Sequence, residues 1–125
     1  MIKRIAVAFG LLFIVVGILG FVPAVTREGH LLGIFHVNPA HNAVHLLTGA
    51  IALACAAASG HACQLFFRIF GIVYALVAVL GFIQGDGMLL GLIANNIADA
   101  WLHTAIAAGS LFLGFGLHEA ATALS

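Results

Sequence analysis

The chain has 125 residues, of which 64% are hydrophobic and 6% charged, with mean hydropathy +1.24 and formal net charge zero. Soluble domains carry about 25% charged residues, so this composition excludes a water-facing surface and indicates an integral membrane protein. No run of Lys or Arg exists, which excludes phosphate-dependent nucleic-acid binding.

The first span runs from roughly Ile5 to Val22, after Lys3 and Arg4. Its apolar stretch exceeds the ~7–15 residues of a signal-peptide core, so it reads as a retained helix. The connection "HLLGIFHV" that follows is too apolar for a free loop and too short to span. It is expected to lie in the interface or to fold back over the outer end of a helix bundle. The second span runs from roughly Pro39 to Ala58. Asn38 is its expected N-cap, and Pro39 suits the first helical position. The segment "ASGHACQL" reads as a loop, and Arg68 opens a third span from roughly Phe66 to Ile83. A second apolar connection, "MLLGLIAN", leads to Asn96, the expected cap of a fourth span from roughly Ile97 to Gly116. Each span approaches the ~20 residues a bilayer core requires.

Lys3, Arg4 and Arg68 stand on one side of these spans and Arg27 on the other. The positive-inside rule then puts both termini in the cytoplasm of a multi-pass cell-membrane protein.

The four spans read as two copies of one hairpin. "GLLFIVVGILGF" (residues 10–21) parallels "GIVYALVAVLGF" (residues 71–82), and "EGHLLGIFHVNPAHNAVH" (residues 28–45) parallels "DGMLLGLIANNIADAWLH" (residues 86–103). In the second pair Gly29, Leu31, Leu32, Gly33, Asn38, Ala40 and His45 match Gly87, Leu89, Leu90, Gly91, Asn96, Ala98 and His103 without a gap. The expected architecture is an all-α, four-transmembrane-helix bundle. It is one membrane domain made of two parallel helical-hairpin repeats, residues 1–61 and 62–125, related about the membrane normal.

The run G-[IL]-[FI]-x-V-N-P-x-H-N-x-V-H-L-L-x-G, echoed by N-x-A-D-x-x-L-H, resembles a bacterial family of small membrane proteins catalogued as domain of unknown function 4383. The resemblance covers nearly the whole chain and implies a four-helix protein of the bacterial inner membrane, with no activity attached. The second copy departs from it, with Ala100 where the first has Asn42.

His41 and His45 are four residues apart, on one helical face, and Asp99 and His103 repeat that spacing. The repeat brings these four together as a ligand set suited to a transition metal such as zinc, iron or copper. Haem or another tetrapyrrole, held by His45 and His103, is the other cofactor reading, and it needs a gap between the second and fourth helices. Glu28, Asp86, His30 and His36 stand in the adjoining loops as further ligands or supporting partners. The bland alternative is structural: interfacial water for His41 and Asp99, and loop carbonyls for His45 and His103. Cys55 and Cys63 form neither a CxxC nor a zinc-knuckle spacing and read as apolar filler. His61 and His118 read as surface or interface residues, and Tyr74 and Trp101 as packing or interfacial belt residues.

Ala50, Ala54 and Ala58, and likewise Ser110 and Gly114, recur every four residues and favour helix association. The expected partners are the lipid bilayer and, through such stripes, a second copy of the chain or a larger membrane complex. No nucleophile–base set is present, so no enzyme is expected. The leading expectation is a non-enzymatic accessory or scaffold protein. A metal- or haem-binding protein and a small transporter or channel are its alternatives.

Overall fold

The computed structural model describes residues 1–117; His118 lies outside them. The chain is mostly helical, with four helices long and apolar enough to cross a membrane. In order, α1 (Ile2–Leu19) is followed by β1 (Thr26–Arg27), β2 (His30–Leu31) and β3 (Phe35–His36). Next come α2 (Pro39–Ala58), α3 (Gly60–Gln84), β4 (Gly87–Leu89), β5 (Ile93–Asn95), α4 (Ile97–Leu111) and a π-type turn over Phe112–Gly116.

α1 buries Ile2, Ala6, Gly10, Phe13 and Gly17, a single stripe at helical spacing. The stripe meets α2 where small residues allow the backbones to touch. A Cβ on Gly49 would lie 2.6 Å from the Gly10 carbonyl oxygen, and one on Gly10 would lie 2.9 Å from the Gly49 carbonyl oxygen. The Ala50, Ala54 and Ala58 stripe faces outward and takes no part in this contact. Toward the Ser59 end the core is aromatic. Phe9 stacks on Phe13 at 4.5 Å and meets Phe66, Phe67 and Phe70 edge-on at 5.8, 5.4 and 5.3 Å.

Three features differ from the sequence reading. First, "ASGHACQL" is not a loop. Ser59 alone separates α2 from α3, and its hydroxyl accepts the Ala62 N–H at 3.0 Å, so α3 begins at Gly60. At 25 residues, α3 is ~37 Å long at 1.5 Å per residue. Arg68 therefore stands two turns inside it. Its Nε donates to the Gly114 carbonyl at 2.7 Å, a carbonyl of the π-type turn.

Second, the mostly helical chain carries short strands in its connections. Both apolar connections fold as β-hairpins, with Leu31 opposite Phe35 and Leu89 opposite Ile93. Each turns on a Leu-Gly pair with both residues left-handed: Leu32 and Gly33 at φ 55° and 72°, Leu90 and Gly91 at φ 54° and 72°. That geometry is the type I′ turn, whose usual sequence signal is Asn-Gly. Leucine is an outlier there, so the signal was absent.

Third, a buried asparagine stands beside both Gly20 and Gly81, although Ala100 occupies the position matched to Asn42. In the first half the Asn42 side chain fills the space where a Gly20 Cβ would stand. In the second half Asn95, from β5, fills the matching space against Gly81, and its Nδ2 donates to the Gly81 and Gly85 carbonyls at 3.2 and 2.8 Å.

The hairpins are tied across the bundle by the residues that start α2 and α4. Asn38 Oδ1 accepts the His41 N–H at 2.9 Å, while its Nδ2 donates to the Leu92 carbonyl at 2.9 Å. Asn96 Oδ1 accepts the Asp99 N–H at 2.9 Å, and its Nδ2 donates to the Ile34 carbonyl at 2.8 Å. Each asparagine caps its own helix and holds the opposite hairpin. Losing a cap costs about 1 kcal/mol and losing a further hydrogen bond about 1 kcal/mol more. Asn38→Ala and Asn96→Ala are therefore each expected to lower stability by about 2 kcal/mol. Thermal unfolding in detergent measures this, with Asn→Asp retaining only the cap.

Candidate functional site

Five buried polar residues gather at the hairpin end of α2 and α4, while Gln64 and Ser110 are buried away from it. His41, Asn42 and His45 on α2, and Asp99 and His103 on α4, are all at least 95% buried. Among the described residues, His41, His45 and His103 form one group whose candidate ligand atoms lie within 4.8 Å of one another. The His41 ring centroid is 4.5 Å from that of His45 and 5.8 Å from that of His103.

The surroundings give the three rings different roles. His41 Nδ1 is 3.1 Å from the His36 carbonyl oxygen. A carbonyl only accepts, so this contact puts the proton on Nδ1; the Ala94 backbone is a second hydrogen-bond partner of the ring. Such a backbone bond on one nitrogen is how proteins orient an imidazole that binds metal through the other. The Nδ1 atoms of His45 and His103 are buried without any hydrogen-bond partner. Aromatic rings wall both: Phe13 meets His45 edge-on at 5.5 Å, and Tyr74 meets His103 edge-on at 5.1 Å. Thr48 lies beside the Tyr74 hydroxyl.

Asp99 is placed differently from the other three members of the expected ligand set. Its Oδ2 accepts the Asn96 N–H at 3.0 Å, closing a capping box, and the His36 N–H at 3.1 Å. The carboxylate is thus engaged by two backbone amides, one from its own helix and one from the opposite hairpin. It is the one buried carboxylate among the described residues and sits one turn from His103. It therefore stands apart from the three converging imidazoles.

The other candidates lie outside the group. The His30 and His36 rings stack on the first hairpin, with centroids 5.0 Å apart. His30 Nδ1 meets the Glu28 carbonyl at 3.0 Å and His36 Nδ1 the Asn95 carbonyl at 3.4 Å. Cys55 and Cys63 are free thiols, Cys63 fully buried in the aromatic part of the core. Trp101 is exposed and packs edge-on against Phe82 at 5.0 Å. Sequence reasoning missed Tyr74 as a neighbour of the cluster, because it comes from α3, whose rotation against α2 no local pattern specifies; Thr48, three residues after His45 on α2, shares its helical face and was legible from spacing.

Chemically, three imidazoles with an open fourth position match a known class of zinc site. Tetrahedral coordination at 2.0–2.1 Å needs nitrogens ~3.3 Å apart; the candidate atoms here lie within 4.8 Å of one another. A haem ligated by both His45 and His103 fits less well. The groove that reaches the cluster, about 360 Å³, runs between α1 and α4 and is lined by His45 but not His103.

A family model described as Domain of unknown function (DUF4383) matches residues 3–116. No curated protein matches the chain, and no solved structure does.

Proposed function

The chain belongs to the family described as Domain of unknown function (DUF4383), and from its buried imidazoles we propose that it is an integral membrane protein holding a transition-metal ion between α2 and α4. The observation that carries this reading is the pair of unpartnered Nδ1 atoms on His45 and His103, beside His41. A buried polar group left unpaired costs about 1–3 kcal/mol. Coordination of an ion by the cluster would give these imidazoles an electrostatic partner. The His36 carbonyl holds the His41 ring in place.

The test is purification in mild detergent, followed by elemental analysis and a visible spectrum. About one metal ion per chain, removed by a chelator and restored by the metal salt, is the expected result. A colourless, metal-free and fully folded preparation would remove the cofactor reading, haem included. It would leave a non-enzymatic accessory or scaffold protein. That second reading draws its support from the bonds that spend polar groups on architecture, namely His41 to His36 and Asp99 to both Asn96 and His36. A transporter or channel has less support, since most buried polar residues among the described ones stand at the hairpin end, with Gln64 and Ser110 apart from them.

The same reading includes two parallel hairpin repeats in a cell membrane, with both termini cytoplasmic. The reciprocal bonds from Asn38 to Leu92 and from Asn96 to Ile34 support the repeat. Lys3 and Arg4 carry the orientation, with less weight from Arg68 now that it stands inside α3. Cys63 is too buried to report sidedness. With native cysteines replaced, His61→Cys is expected to react with a membrane-impermeant maleimide from the cytoplasmic side only, and Arg27→Cys from the other side only. The opposite pattern overturns the orientation.

A further inference from the structure

We propose that the ion held between α2 and α4 is monovalent copper, Cu(I), with the imidazoles of His45 and His103 as its two donors. The proposal rests on the transition-metal reading above and gives the ion its identity.

The two histidines form a matched pair. In the register of the sequence matches His45 corresponds to His103, and Phe13 to Tyr74. Each imidazole meets the aromatic ring from its own half of the sequence edge-on, Phe13 against His45 at 5.5 Å and Tyr74 against His103 at 5.1 Å. Both histidines are at least 95% buried, and each has an Nδ1 without a partner. His41 differs. Its matched residue is Asp99, and its ring is already engaged by the backbone of His36 and of Ala94. The backbone therefore holds the His41 ring, and the cluster keeps two uncommitted donors.

Donor number selects the ion. Zinc takes four ligands, and the other divalent ions that imidazole suits take square-planar or larger sets. Cu(I) has a filled d shell and is stable with two imidazole nitrogens in line. At a metal–nitrogen distance of ~2.0 Å such nitrogens stand ~4 Å apart, which the spacing within 4.8 Å accommodates. Charge selects the same ion. Among the described residues no carboxylate or thiolate joins the histidine group. Asp99 Oδ2 is held instead by the Asn96 and His36 amides. The cost of burying an ion grows as the square of its charge, so without a counter-charge a divalent ion costs about four times as much as a monovalent one.

The test uses full-length wild-type protein in mild detergent, stripped of metal and titrated without oxygen with Cu(I), kept reduced by ascorbate. Bathocuproine disulfonate, a coloured Cu(I) chelator, competes for the ion. About one Cu(I) per chain is expected, with at least about tenfold weaker binding in His45→Gln and in His103→Gln, and less than about threefold in His41→Gln. X-ray absorption of the copper-loaded wild type, which needs no variant to fold, should show two nitrogen donors and no sulfur. Protein given equal Zn(II) and Cu(I) should retain copper. Preference for Zn(II), sulfur donors, a larger donor set, or a loss in His41→Gln as large as in the other two would each overturn the copper assignment while leaving the transition-metal reading in place. Failure to retain Cu(I), Zn(II) or Fe(II), or copper bound equally by wild type and both glutamine variants, would overturn both.

Discussion

Replacing Gly49 by leucine is expected to separate α1 from α2 and leave the protein unfolded or aggregated in detergent. The two helices cross with their backbones in contact. Even a methyl group on Gly49 would lie 2.6 Å from the Gly10 carbonyl oxygen and 2.7 Å from Ile14 Cγ1. The first neighbour is main chain and cannot rotate away. Overpacking a well-packed core costs about 1–3 kcal/mol when side chains can adjust, so Gly49→Ala should cost about 3 kcal/mol and Gly49→Leu more. Ala50→Leu is the control. It enlarges the adjacent residue by the same side chain on the outward face, where substitutions stay within about 0.5 kcal/mol. Thermal unfolding followed by circular dichroism separates the cases. A Gly49→Leu protein as stable as Ala50→Leu would show that this crossing does not hold the bundle together.

The second large effect belongs to the histidine cluster. If His41, His45 and His103 hold a metal, His45→Gln and His103→Gln should each weaken binding by more than about 100-fold, since loss of a supporting partner alone costs 10–100-fold. Glutamine keeps a donor and an acceptor in a side chain of similar reach, so the apoprotein should stay folded. Metal at about 100 times its dissociation constant should stabilise the wild type by about 2.7 kcal/mol and neither variant. Asp99→Asn should behave differently. It retains an oxygen for the Asn96 and His36 amides and lies outside the converging imidazoles, so it should leave both the fold and metal binding largely unchanged. Equal metal content in the wild type and both glutamine variants would assign the cluster a purely structural role.

Much of this protein is local in origin and hence legible in its sequence. Four apolar runs near bilayer length specify four long helices, because backbone pairing inside a helix needs no distant partner. Capping is local as well: the oxygen of Asn38 or Asn96 reaches an amide only three residues on. The helical face shared by His41 and His45 follows from their spacing alone. Tertiary structure decided the rest. The hairpins were not legible because Leu-Gly is a poor signal for a type I′ turn, and contacts to the opposite Asn38 and Asn96 accompany these strained turns. The start of α3 was hidden because one serine suffices to end one helix and cap the next. Asp99 has the spacing of a ligand, yet two amides claim its carboxylate, one of them from residue 36, which is 63 positions away. Asn95 fills the space beside Gly81 from a position that does not match Asn42, and Tyr74 reaches the cluster from α3. Sequence spacing specifies which residues share a face of one helix. Which faces meet, and how closely, is set by packing between helices, here by the Gly10–Gly49 crossing and the stacked phenylalanines.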